Sequence, residues 1–314
     1  MLKLKNLCQA AWSKGWLVLL YTAVIWGCNA IAAKLATGHI SPMSLVFLRW
    51  LFVCTLLGLF IWNEIKQDIS VLLASWRKLL WMGFAGFTGF SALFYLAAYK
   101  TTAVNITILQ SSMPPLVLLG ALIFFHEKVT VWRMLGMVLG LSSIAVIATR
   151  GQIETLAKFS FNLGDLAILL ACVLYAAYTL SLRNRPAVKS IVFFFGMSIA
   201  ALITSIPLAV AEVSLGHWYV PSIQGLFVLL FVTLGPSLTA QLAYMRGVQL
   251  IGPARASIFP SLVPAFGALF AVLFLGEAFA AFHAAALALG AGGIYFSEIK
   301  GKISPAKGLQ SQQI

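Results

Sequence analysis

The chain alternates between apolar runs of about twenty residues and short clusters of charge, proline, glycine and polar side chains, and about twenty residues is what an α-helix needs to cross a bilayer core of roughly 30 Å. Ten such runs can be marked, at 16–37, 43–62, 80–99, 102–125, 131–149, 165–183, 190–211, 225–246, 254–275 and 279–297, with mostly very short connections. The pattern predicts an all-α integral membrane protein with ten transmembrane helices. Lys3, Lys5 and Lys14 before the first run, and Ala30-Ile31-Ala32 inside it, imitate a cleavable signal. The run is longer than a signal core and has a counterpart later in the chain, so it reads as a span.

That counterpart belongs to an internal repeat. An offset of 150 maps Ile108 onto Ile258, Ser111 onto Ser261, Pro114 onto Pro264, Phe124 onto Phe274, Glu127 onto Glu277 and Gly140 onto Gly290, without a gap. Near the start of each half an offset of 149 maps Gly15 onto Gly164, Trp26 onto Tyr175 and Lys34 onto Arg183. The halves are 11–152 and 160–300, followed by a tail at 301–314 expected to be disordered and cytoplasmic. Each half holds five spans, an odd number, so the second enters the membrane with the opposite orientation and the five-helix repeats are inverted.

Composition then removes whole classes of function. With 61% hydrophobic and 9% charged residues and a mean hydropathy of +0.97, a water-soluble globule is excluded, and so is the low hydrophobicity that disorder requires. The net charge of +13 would suggest a nucleic-acid partner in a soluble protein; here the basic residues sit between apolar runs, where they report topology instead. Fourteen Lys and Arg fall on one side against Lys100, Arg150 and Lys158 on the other, which places both termini in the cytoplasm of an inner or plasma membrane. Lys34, Arg49, Arg246 and Arg255 remain within spans or at their edges. Cys8, Cys28, Cys54 and Cys172 have neither metal-ligand spacing nor the context of a disulfide framework, and no metal or cofactor is expected.

The ends of the two halves, NITILQSSMPPLVLLGALIFFHEKVTVWRMLGMVLGLSSIAVI at 105–147 and RASIFPSLVPAFGALFAVLFLGEAFAAFHAAALALGAGGIYF at 255–296, are both close to a helix-Pro-helix-Gly-Glu pattern. In this, and in its ten spans in two halves, the chain resembles the EamA-type drug/metabolite transporters. The resemblance implies carriage of a small metabolite without ATP, with the first helix of each half bordering a central pathway and export as the usual direction. It says nothing of the substrate. His126 stands where that pattern has glycine before Glu127, which should disturb a tight turn.

Pro114, Pro115, Pro260 and Pro264 fall near the middle of the fourth and ninth spans. A proline lacks its N–H and frees carbonyls a turn earlier, which in lipid must find protein, water or ligand. One reading is a kink in a packed helix; the other, favoured by the symmetric recurrence, is a pair of interrupted helices facing a midplane cavity that gates transport. Trp26, Asn29, Tyr95, Asn105 and Gln110 in the first half, with Tyr175, Tyr178, Gln241 and Tyr244 in the second, are candidates to line that cavity, against interfacial anchoring or interhelical hydrogen bonding. Arg49, about seven residues into the second span, either snorkels to the outer interface or recognises a carboxylate or phosphate in the cavity.

All eight Asp and Glu fall in loops or at span ends, so a midplane carboxylate relay for protons or sodium is not supported, and facilitated diffusion or exchange is the simpler expectation. Small residues at Gly136, Gly140, Ala286 and Gly290 allow either internal packing or a homodimer seam, and Gly83, Gly86 and Gly89 thin one face of the third span. The four His (His39, His126, His217, His283) are read as loop residues, and no H-E-x-x-H, G-x-S-x-G or P-loop motif is present to suggest an enzyme. A channel would need oligomeric symmetry. The reading is a non-ATP carrier working by alternating access, one repeat rocking against the other. It exports amino acids or related metabolites or, alternatively, takes up or exchanges an anionic metabolite.

Overall fold

The computed structural model describes residues 13–126, 130–149, 151, 162–251 and 259–296. They form helices α1 Gly15–Ala36, α2 Pro42–Phe60, α3 Trp62–Ala74, α4 Trp76–Ala98, α5 Ala103–Phe125, α6 Val131–Ala148, α7 Leu163–Asn184, α8 Ser190–Ser214, α9 Ile223–Ile251, α10 Phe259–Leu275 and α11 Ala281–Ile294, and no described residue forms a strand. Seven helices are long and apolar enough to cross a membrane, and α6, α10 and α11 contain shorter apolar helices. Phe60, Phe124 and Phe274 lie bare on the perimeter, which suits a multi-pass membrane protein whose outer solvent is lipid.

The hydropathy pattern locates these helices to within a few residues and misses α3. There Ile65 and Leu72, two turns apart, are buried while Lys66 and Gln67 are exposed. Such a mixed face is too polar for a span and suits the membrane interface.

The two halves repeat their local irregularities as well as their helices. α4 contains a π-helical turn at Phe84–Thr88, and α9 contains one at Thr233–Thr239, which begins 149 residues later. α5 passes through a 3-10 turn at Gln110–Ser112 into a helix at Met113–Phe125; α10 passes through one at Phe259–Leu262 into a helix at Val263–Leu275. Both segments carry proline at their N-terminal positions, where the missing N–H costs little. The expected interruptions therefore take the form of 3-10 turns with the chain still helical: Met113 N–H bonds Gln110 O instead of leaving that carbonyl bare.

Both segments end in the left-handed region, at His126 (φ 52°) and Gly276 (φ 64°). The turn expected to suffer from His126 forms all the same, with the His126 N–H bonded to Leu122 O at 3.2 Å, at the steric cost a Cβ brings to this conformation. Glu127, Arg255, and the tail at 301–314 lie outside the described residues.

Packing interlocks the halves. α1 lies against α9 and α10, its counterpart α7 lies against α4 and α5, and α2–α8 and α6–α11 pair across the halves. Glycines set the closest approaches: a Cβ on Gly27 would meet Phe266 at 2.9 Å, and one on Gly293 would meet Gly136 O at 2.8 Å. The small residues of α6 and α11 make close contact inside the chain, where Ser143 Oγ also donates to Ala286 O. Gly83, Gly86 and Gly89 admit α8 and α7 in the same way. Cys54 and Cys172 are buried free thiols.

Candidate functional site

The bundle has two ends, named here for a residue at each. The Thr37 end gathers the connections 37–41, 99–102, 215–222 and 276–280; the Gly15 end gathers 61–75 and 185–189. Between them lies a cavity of about 560 Å³, walled by α1, α2, α4 and α5 of the first half and α7, α8, α9 and α10 of the second. Its lining begins midway along the helices and runs toward the Gly15 end, through Leu118 and Ala121 on α5 and from Tyr175 to Leu182 on α7. No described lining residue comes within about two turns of the Thr37 end.

Both π turns face this cavity, with Gly86 and Phe87 on one side and Pro236 and Ser237 on the other. A π turn inserts one residue into the helix, shifting the side chains after it around the axis, and it leaves backbone groups for other partners. Trp26 Nε1 donates to Pro236 O at 3.0 Å, and its ring lies 5.5 Å from that of Tyr244. Across the cavity Tyr175 and Tyr178 have ring centroids 5.4 Å apart, and the Tyr178 ring sits over Gly86, where a Cβ would come within 2.5 Å of it.

Arg49 lies at the deep end. It is 8% exposed and points inward; the snorkelling alternative does not occur. Nη1 donates to Tyr95 Oη at 2.9 Å and Nη2 to Ser91 Oγ at 3.1 Å; Tyr95 in turn donates to Asn29 Oδ1 at 3.3 Å. The guanidinium stands 4.9 Å from the Trp50 ring, a cation–π contact.

Eight of the sequence candidates, Trp26, Asn29, Arg49, Gln110, Tyr175, Tyr178, Gln241 and Tyr244, line this cavity, as do Pro114, Pro260 and Pro264. Pro115 does not line it; it packs instead on α6, where a Cβ on Gly140 would meet its ring at 2.6 Å. Tyr95 is 1% exposed and stands behind Arg49. Asn105 is elsewhere: in the first turn of α5, at the Thr37 end, its Nδ2 donates to Thr101 Oγ1 and Asp165 Oδ1, while Oδ1 meets His283 Nε2 at 3.2 Å. Its sequence position, one turn into a span, is shallower than its polarity suggested. Sequence reasoning missed Trp50, Phe87, Phe90 and Ser91 as lining residues. Ser91 and Tyr95, one turn apart on α4, form a polar stripe that could have flagged the partner of Arg49.

The acids act at the Thr37 end as links between the halves. Glu212, near the end of α8, accepts from Met43 N, Ser44 N and Ser44 Oγ, each at 2.9 Å, and so caps α2. Glu277 accepts from Ala103 N and Val104 N at 2.9 Å and caps α5. Asp165 accepts from Thr101 Oγ1 at 2.5 Å. Lys34 Nζ donates to Ala98 O and Thr101 O, and Asn162 Nδ2 donates to Lys100 O. His283, expected in a loop, is in the first turn of α11 and buried; its Nδ1 accepts from Ala280 N, so Nε2 carries the proton toward Asn105. Between the connections 99–102 and 215–222, beyond the ends of the long apolar helices, Tyr99 and Tyr219 hydroxyls meet at 2.8 Å; burial first, and this contact second, push the Tyr219 phenol well above its ordinary range.

Known proteins share this architecture. Residues 13–149 and 162–298 each match the EamA-like transporter family. The chain is 26% identical over 262 residues to the "Uncharacterized transporter YyaM" of Bacillus subtilis (strain 168), covering 79% of this chain and 82% of that protein. It is 27% identical over 276 residues to the "Uncharacterized inner membrane transporter YicL" of Salmonella typhimurium (strain LT2), covering 85% and 89%. A crystal structure described simply as that of a protein superimposes with a TM-score of 0.63 at 19% identity, over 91% of this chain and 97% of that one, a likeness of fold. With both matched stretches contributing to one cavity and together spanning most of its length, the chain belongs to the EamA-like transporter family.

Proposed function

We propose that this protein is a secondary carrier, without enzymatic activity, that moves a small organic metabolite or drug-like compound across an inner or plasma membrane by alternating access. The observation that carries this reading is the cavity itself: it lies between pseudo-equivalent helices, its lining reaches toward the Gly15 end, and the Thr37 end is laced shut by hydrogen bonds. Ten spans in two inverted repeats, 11–152 and 160–300, account for the paired π and 3-10 turns. Lys66, Arg77, Lys78, Arg183, Arg185 and Lys189 belong to the Gly15 end and Lys100 to the other, so the Gly15 end, with both termini, faces the cytoplasm. The cavity then faces inward, as an exporter loading its cargo requires.

The interlocked packing refines the motion. Because α1 is wedged between α9 and α10 of the other half, the moving bodies are groups of helices drawn from both halves, not the halves themselves. Of the acids described, Glu64, Asp68, Asp165, Glu212 and Glu277, none lines the cavity, which favours facilitated diffusion or exchange over a carboxylate relay. A second reading, uptake or exchange of an anionic metabolite, is favoured by Arg49.

Purified protein in vesicles tests the proposal. Substrates found by thermal shift should cross the bilayer saturably, and Asn29→Ala and Tyr178→Ala should each cut flux with expression unchanged. Full activity of both variants would remove the cavity assignment. Loss of concentrative transport on dissipating the proton gradient would overturn facilitated movement.

A further inference from the structure

We propose that Arg49 is the anchor for the carboxylate of a monoanionic substrate whose remaining body is apolar or aromatic. This rests on the carrier reading and narrows it to a substrate class.

Four observations converge. First, Arg49 is a charged side chain, more than nine-tenths buried, in the wall of the central cavity. Second, no acid among the described residues pairs with it; those near the bundle's interior, Asp165, Glu212 and Glu277, are spent on Thr101 and on the N–H groups of α2 and α5 at the Thr37 end. A buried cation without an anion is strongly disfavoured, and hydrogen bonds to two neutral hydroxyls do not neutralise it. Third, donors exceed acceptors at this spot. The guanidinium has five N–H groups, of which Tyr95 and Ser91 take two, while Arg49 Nε and the neighbouring Trp50 Nε1 are buried without an acceptor among the described residues. An incoming carboxylate supplies both the missing charge and the missing acceptors, and the planar guanidinium matches it in a forked contact. Fourth, the rest of the wall is largely aromatic and apolar, with Trp26, Phe87, Phe90, Tyr175 and Tyr178 in it, and offers no second cation among the described residues. A phosphate monoester, with its second negative charge, would be left half-neutralised there, so a carboxylate is the better fit.

The test uses matched pairs, hydrocinnamate against hydrocinnamide and hexanoate against hexanamide, with phenethyl phosphate as the alternative anion. Each is titrated into the detergent-purified full chain by calorimetry. The wild type should bind at least one acid tenfold to about 100-fold more tightly than its amide, the range expected of a charge-assisted contact. Arg49→Gln should abolish that ratio while leaving amide affinity within about threefold. Arg49→Lys, which keeps the charge and loses the fork, should retain part of it. Equal binding of acid and amide by the wild type, no binding of either acid, tighter binding of phenethyl phosphate, or an unchanged ratio in Arg49→Gln would each overturn the proposal. The wild-type comparison decides even if Arg49→Gln does not fold. Tracer flux in vesicles separates the two readings. Acid-selective binding without flux removes the carrier and leaves the Arg49 assignment; flux without acid preference does the reverse.

Discussion

The two ends of the bundle are held together by different physics. At the Thr37 end, Glu212, Glu277 and Asp165 of the second half reach across to backbone and side-chain donors of the first, and His39 and Tyr99 meet Ser222 and Tyr219. Contacts between halves on the Gly15 side include Trp81 Nε1 on Ser181 Oγ at 3.2 Å, Lys189 on Gln67 at 3.4 Å, Tyr21 Oη with Thr239 Oγ1 at 2.7 Å, Trp132 stacked on Phe296 and Arg183 over Phe125. The carboxylate contacts of the first set are charge-assisted and buried or half-buried, while those named on the Gly15 side involve no carboxylate, a difference of about twofold in strength per contact. The cavity reaches toward the weakly tied end. On the carrier reading proposed above, exposing the cavity at the Thr37 end means separating carboxylates from helix N-termini, a cost that the ligand or its surroundings must offset.

Breaking the strong end should have the largest effect. Glu212→Ala strands three donors and should lower stability by about 3 kcal/mol, and Glu277→Ala, with two, by about 2 kcal/mol, both read as a lower apparent Tm in detergent. If neither moves the melting temperature, the two ends do not differ as described. A smaller effect of opposite sign is expected where the halves differ at one position: His126→Gly relieves a left-handed Cβ that Gly276 avoids and should raise stability by about 1 kcal/mol. Smallest of all, Ser181→Ala at the weak end should cost about 0.5 kcal/mol or less. A loss there as large as for Glu277→Ala would erase the asymmetry.

Much of the cavity lining is legible in the amino-acid sequence. Trp26, Asn29, Tyr175 and Tyr178 share a face of α1 and α7 because helical spacing and the repeat offset put them there, and the structure brings them to one cavity. Arg49 is ambiguous in sequence because spacing locates a residue along a helix and not the rotation of that helix in the bundle. Asn105 is misplaced for a related reason: polarity near a span suggests depth, whereas Thr101, Asp165 and His283 hold it at the Thr37 end. Glu212 and Met43, 169 residues apart, carry no local signal that one caps the other.

The order of residues along the chain suffices for the long apolar helices, their membrane setting, the repeat and the family, and misses only the polar helix α3. Those follow from rules that act within a segment: a hydrocarbon layer demands about twenty apolar residues and a backbone bonded to itself. The interlocking of the halves, the end that is laced shut, the inward turn of Arg49 and the use of the acids as caps emerge only in three dimensions. Each of these depends on which faces of distant helices meet, and that is settled by close packing at Gly27, Gly86 and Gly267 rather than by any pattern along the chain.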